Sequence, residues 1–148
     1  MKIITITKEN RYFKEYVNLC YKWFGAQKNL SIEDIKAKYS FNDKLPIIRV
    51  LIINDTLIGF YEINENDSIP DEDFTPYLAN VYVREEYRKQ GFSTILINDS
   101  IKFTKELGYK TLYLHSRIEN YYEKYGFKFI KETKTNYGNK RIFEYKDK

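Results

Sequence analysis

The chain has 148 residues, 43% hydrophobic and 31% charged, a composition that can bury a core and that excludes a disordered or fibrous protein. Twenty-five Lys and Arg against 21 Asp and Glu leave a net charge of +4, too small by itself to indicate a nucleic-acid or membrane surface. One cysteine, Cys20, excludes an intramolecular disulfide, and with one histidine, His115, it excludes a Cys/His zinc cluster.

The chain opens on "KIITIT", a β-branched strand. Tyr12, Phe13, Tyr16, Val17, Leu19, Cys20, Trp23 and Phe24 follow at helical spacing, and Gly25 is the expected stop. Ser31 and Asp34 form a capping-box pattern, with Asp for the usual Glu, which predicts a short helix to about Tyr39. Two apolar runs around Asn54-Asp55 predict a hairpin, an acidic loop spans "NENDSIPDEDFTP", and "YLANVYV" reads as a third strand of this group. After Gly91 the positions Phe92, Ile95, Leu96, Phe103 and Leu107 predict a helix closed by Gly108, and "TLYLH" is the next strand. Ser116 and Glu119 then match a capping box opening a helix to about Tyr125. The tail reads as two strands joined near Gly138-Asn139. This order predicts one α/β domain over residues 1–148. Its mixed sheet is largely antiparallel, with a right-handed parallel β-α-β unit at its centre and helices alongside. "MKIITITKEN" lacks the apolar run of a signal peptide and no stretch approaches the ~20 apolar residues of a membrane span, so a cytoplasmic protein is expected.

The chemistry-bearing stretch is "VREEYRKQGFSTIL". A helix start carries unpaired N–H groups and the positive end of the dipole, and can cradle a phosphate. Gly91 removes the Cβ that would hold a ligand off the backbone, Ser93 is small and adds a hydroxyl, and Arg88 and Lys89 bring full positive charge.

With the strand before it, "VYVREEYRKQGFSTIL" resembles motif A of the GNAT N-acetyltransferase superfamily, with Arg88, Gly91 and Ser93 in the motif's three defining places. Downstream, "YYEKYGF" resembles the end of motif B, through Tyr122, Gly126 and Phe127. The resemblance extends in element order across nearly the whole chain. It implies acetyl-coenzyme A as acetyl donor. The pyrophosphate would lie on the amides of Gln90, Gly91, Phe92, Ser93 and Thr94 beside Arg88 and Lys89, and the pantetheine arm along the main chain of Val81, Tyr82 and Val83. An amine would attack the thioester directly. Tyr122 would then be the acid that meets the leaving sulfur, because a phenol with an ordinary pKa of about 10 stays protonated at neutral pH. A main-chain N–H near Asn80 or Val81 would hold the developing negative charge.

This chain departs from the family pattern at three places. Ser93 stands where Gly or Ala is usual. Tyr77 stands where many relatives carry a carboxylate base, which leaves Glu62 or Asp73 as candidate bases and puts Glu62 and Tyr77 at the acceptor side. His115 stands where an Asn is frequent, as a structural residue or a neighbour of the pantetheine, with a pKa that permits proton transfer. The acids Glu62, Glu65, Asp67, Asp71, Glu72 and Asp73 read either as a solvated acidic loop, the reading slightly favoured, or as a surface that draws a cationic acceptor such as a polyamine, an aminoglycoside or a lysine side chain. An amine N-acetyltransferase, monomeric or homodimeric, is the leading reading. A non-catalytic acyl-coenzyme A sensor is the alternative, and a nucleic-acid binder ranks last because acids are interspersed with the bases.

Overall fold

The computed structural model describes residues 1–39, 45–65, 73–135 and 138–147. β3 (Thr56–Asn64) is buried along nearly its whole length, as a strand covered on both faces must be, and its neighbour β2 (Ile47–Ile53) has no exposed residue. They form a hairpin through Asn54 and Asp55, both left-handed with φ of 50° and 62°. Two consecutive positive-φ residues give the turn whose twist matches its strands. β1 (Lys2–Ile6) pairs antiparallel with β2, and β4 (Tyr77–Val83) antiparallel with β3. β5 (Thr111–Ser116), β7 (Gly138–Lys146) and β6 (Lys128–Thr135) complete one sheet in the order β1-β2-β3-β4-β5-β7-β6.

Alternation along the central strands divides the core into two layers. Ile48, Val50, Ile52 and Phe60 meet α1 (Phe13–Cys20) and α2 (Ile32–Ala37) through Tyr16, Val17, Cys20 and Ile35. Leu51, Ile58, Tyr61 and Ile63 meet α3 (Phe92–Glu106) on the opposite face, through Leu96 and Ile97. Each such aliphatic burial contributes roughly 1.5–3 kcal/mol. Asp99 straps α3 to the sheet: it accepts from Tyr61 Oη at 2.6 Å and pairs with Arg49 at 3.0 Å, while the Arg49 guanidinium lies 4.1 Å over the Phe103 ring. Cys20 is an interior thiol, fully buried.

The expected parallel pair is β4 and β5, joined by α3. It has one register pair, Tyr77↔Tyr113, closed by a 2.9 Å bond from the Tyr113 N–H to the Pro76 carbonyl. Among the described residues, the β5-facing edge of β4 beyond Tyr77 has no further register pair with β5.

Two local expectations change. The first helix does not stay α-helical to Gly25: after Cys20 it widens into a π-helical turn, Tyr21–Gly25, with Ala26 N–H donating to the Tyr21 carbonyl at 3.2 Å. Ser116 and Glu119 open no helix. Ser116 ends β5 opposite Arg141, its hydroxyl accepts from the Ile118 N–H at 3.0 Å, and Glu119 is held by Arg141. Only a 3-10 turn, Tyr122–Tyr125, forms there. The two tail strands do join beside Gly138, where Gly138 and Asn139 open β7 opposite Thr135 and Lys134. The capping box at α2 forms in full, Asp34 N–H to Ser31 Oγ at 3.0 Å and Ser31 N–H to Asp34 Oδ2 at 2.8 Å. Among the described residues no helix is long and apolar enough to cross a membrane.

Candidate functional site

Gly91 caps α3 with φ 84°, a left-handed conformation that glycine alone adopts without cost, and no side chain caps the first turn. A Cβ built on Gly91 would meet nothing within 4 Å. The space above the first-turn amides is therefore open to a ligand. Lys89 is also left-handed, φ 64°. Backbone turned this way aims successive N–H groups into one concavity, and the helix dipole adds positive potential. Arg88, Lys89 and Gln90 are exposed around it. Arg88 donates through Nε to the Val83 carbonyl at 2.9 Å, with its guanidinium 5.5 Å over Tyr82, which leaves its Nη groups for an anion.

A cavity of about 320 Å³ runs from Gly91, Phe92 and Ser93 to Val81, Tyr82 and Val83, with Trp23 as its far wall. A second cavity, about 220 Å³, shares Val81 and Trp23 in its lining and is lined also by Asn80, His115 and Tyr122. Of the donor residues expected from the sequence, Val81, Tyr82, Val83, Arg88, Lys89, Gly91, Phe92 and Ser93 line the first cavity and His115 the second, while Gln90 and Thr94 flank the start of α3 without lining either.

Ties between elements fix Tyr122 relative to α3. Ser93 Oγ lies 3.4 Å from Tyr121 Oη, and Thr94 Oγ1 lies 2.8 Å from Tyr125 Oη, so the helix start holds residues on both sides of Tyr122. The Tyr122 ring packs edge-on against Tyr121 at 4.9 Å and against Phe127 at 6.2 Å. Among the described residues its hydroxyl takes no side-chain hydrogen bond. Burial, with the phenols of Tyr121 and Tyr125 as lesser causes, pushes its pKa up to about 12. It stays protonated at every physiological pH.

Glu62 is wholly buried, 0% exposed. Its Oε2 accepts from Tyr16 Oη and from Asn80 Nδ2, each at 2.6 Å, and its Oε1 accepts from Lys38 Nζ at 3.0 Å. Tyr39 Oη joins Tyr16 Oη at 2.6 Å. Burial, reinforced by the Glu62 charge, raises both tyrosine pKa values well above 10.0. The Asn80 side chain, which lines the smaller cavity, thus turns its amide nitrogen to Glu62. Asn80 itself is left-handed, φ 52°, at the register shift between β3 and β4. Glu62 thus reaches the cleft through Asn80 rather than directly.

Tyr77, expected at the acceptor side, does not reach the cleft. It is 0% exposed and packs with Ile142, Phe74 and Tyr113 at the rung where β4 and β5 meet. His115 faces the smaller cavity, with its ring 6.4 Å from that of Tyr77. Of the acidic loop, Asp67, Asp71 and Glu72 lie outside the described residues, and Glu65 and Asp73 are exposed. Asn80 and Trp23 are the site residues that sequence reasoning left unassigned as side chains. Asn80 could have been noticed as an Asn inside a strand, a residue type suited to a left-handed bulge; Trp23 carried no such mark.

The family model described as Acetyltransferase (GNAT) family matches residues 11–127. An N-alpha-acetyltransferase of Saccharolobus solfataricus is 28% identical over 100 residues, covering 60% of this chain and 60% of that protein, so the match spans less than two thirds of the relative. A probable acetyltransferase from Staphylococcus epidermidis superposes with TM-score 0.74 at 18% identity, over 99% of each chain. A family acetyltransferase from Elizabethkingia anophelis, solved with acetyl-CoA bound, superposes with TM-score 0.69 at 17% identity, over 99% of this chain and 97% of that one.

Proposed function

Since the chain belongs to the acetyltransferase (GNAT) family, we propose that it transfers an acetyl group from acetyl-coenzyme A to a primary amine by direct attack in a ternary complex. The observation that supports this reading is the uncapped start of α3 at Gly91, which lines a cavity along Val81–Val83 of β4 whose lining residues Val81 and Trp23 also line the cavity holding Tyr122. The open volume where a Cβ would stand, the turned amides and the two cationic side chains fit a pyrophosphate. Acetyl-coenzyme A, when bound, supplies an activated thioester carbonyl.

In this reading the amides of Gln90 to Thr94 with Arg88 and Lys89 hold the phosphates, and the free edge of β4 at Val81–Val83 aligns the arm as an added strand. Tyr122 donates its proton toward the sulfur that departs. Asn80, held by Glu62, offers its carbonyl oxygen to the N–H of the incoming amine and orients its lone pair. Glu62 acts through Asn80 as a positioning residue, while His115, facing the same cavity as Tyr122, is placed to pass the amine's proton onward.

A thiol-release screen with acetyl-coenzyme A and a panel of amines, comprising a polyamine, an aminoglycoside, a lysine peptide and a peptide with a free α-amine, tests the reading. Thiol release matched one-to-one by acetylated amine in the mass spectrum is expected for at least one acceptor. Calorimetric binding of acetyl-coenzyme A with no release on any amine would instead identify a sensor.

A further inference from the structure

The π-helical turn changes what faces the cleft. Along α1 the buried positions run Phe13, Tyr16, Val17 and Cys20, and an unbroken α-helix would continue this track through Trp23 and Phe24. The i→i+5 bond from Ala26 to Tyr21 inserts one residue, and the core position passes to Gly25, which is buried. A Cβ on Gly25 would stand 3.0 Å from Tyr21 and 3.1 Å from Ile35, so only glycine fits this slot without displacing a neighbour. Trp23 is thereby turned out of the core and stays 37% exposed. Its ring settles 4.9 Å from Tyr82 and 6.3 Å from Phe60, above the strand that runs along the donor cavity. It lines both the cavity from Gly91 to Val81 and the cavity holding Tyr122, Asn80 and His115.

We propose that Trp23 is the positioning residue that roofs the junction of the donor and acceptor cavities. Its indole packs on the donor's arm above Val81, keeps water from the thioester, and forms the wall that selects the amine. This rests on the acetyltransferase reading. Without that roof, water competes with the amine: its oxygen bonds to the acetyl carbon, the carbon–sulfur bond breaks, sulfur leaves as free thiol with one proton, and acetate is released with the other proton passing to solvent.

Trp23 is the chain's one tryptophan, so its emission reports on this position alone. Titration of the wild type with free coenzyme A is expected to shift or quench that emission, saturating at the concentration found by calorimetry. Trp23→Ala is expected to raise thiol release without amine, relative to transfer to the wild type's best acceptor, by about tenfold and to raise acceptor KM by a similar factor. Trp23→Phe keeps an aromatic roof and is expected to restore most of the coupling. Unmoved emission at saturating coenzyme A, or a coupling ratio and acceptor KM in Trp23→Ala equal to wild type, would overturn the assignment. Should Trp23→Ala fail to fold, the wild-type titration and Trp23→Phe against Trp23→Leu decide it in the same way. A wild type that binds no coenzyme A by calorimetry defeats the acetyltransferase reading, whereas one that binds it with unmoved emission defeats only the role of Trp23.

Discussion

Replacing Tyr122 by Phe removes one oxygen and leaves every ring contact in place. The edge-on packing against Tyr121 at 4.9 Å and Phe127 at 6.2 Å belongs to the ring, and the hydroxyl takes no side-chain hydrogen bond among the described residues. The folded protein therefore loses no bonded partner, and the stability change should stay within ~0.5 kcal/mol, a Tm shift of about 1–2 °C for a domain of this size. The chemical step loses its proton donor, which for general-acid catalysis is worth about 10²–10⁴ in rate, or ~3–5 kcal/mol. Steady-state thiol release with the preferred amine, alongside calorimetry with coenzyme A and a melting curve, separates these effects. A kcat within about threefold of wild type would sink the acid assignment. So would a rate loss accompanied by an equal loss of coenzyme A affinity or a fallen Tm. Because the phenol titrates only near pH 12, any alkaline limb in the wild-type rate below pH 10 must come from another group.

Glu62→Gln puts an amide donor among Tyr16, Lys38 and Asn80, so at least one donor loses its acceptor, at about 1–3 kcal/mol, and Tm should fall by roughly 2–10 °C. Asn80 then loses the partner that fixes its orientation, and kcat should fall more than the coenzyme A Kd rises; Tm and kcat both at wild-type values would refute the link. Gly91→Ala has room for its methyl but places it at φ 84°, which costs about 1–2 kcal/mol and leaves the fold intact. The methyl stands where the phosphates are proposed to approach, so calorimetry should find coenzyme A bound about tenfold more weakly. Unchanged affinity would move the donor elsewhere. Raised pKa values at Tyr16, Tyr39, Tyr122 and Cys20, the last pushed from 9.0 to about 12 chiefly by burial, mean that the folded chain keeps protons the unfolded chain gives up. Their contribution is whole below about pH 9 and is lost as pH rises toward 12, so Tm should be level to pH 9 and fall steeply above it, as calorimetry across that range would register.

Much of this fold was legible because its markers act over a few residues. Asn54-Asp55 could make only a tight turn, Ser31 and Asp34 satisfy each other's backbone, and Gly91 separates a charged loop from an amphipathic helix. Ser116 and Glu119 share that short-range grammar, yet the pairing of Ser116 opposite Arg141 and the pull of Arg141 on Glu119 prevail over it. The π-helical turn left no trace because hydrophobic spacing through Trp23 and Phe24 reads equally well as an unbroken helix. Around the site, Arg88, Gly91 and Tyr122 were visible through motif spacing. The partners of Glu62 were not, since Tyr16, Lys38 and Asn80 come from three separate elements and only the folded sheet brings them to one carboxylate.

The single rung between Tyr77 and Tyr113 is the one register pair between two groups of strands. Strands β1 to β4 form one leaf and β5 to β7 another, joined there at a knot of rings in which Phe74 stacks on Tyr113 at 4.7 Å and Tyr77 lies 5.8 Å from it. Tyr77 sits in this knot, which accounts for its burial away from the cleft. A ligand laid along β4 in the open wedge would act as the missing strand and brace the leaves against each other. Catalytic alignment and the rigidity of the fold would then be set by the same binding event.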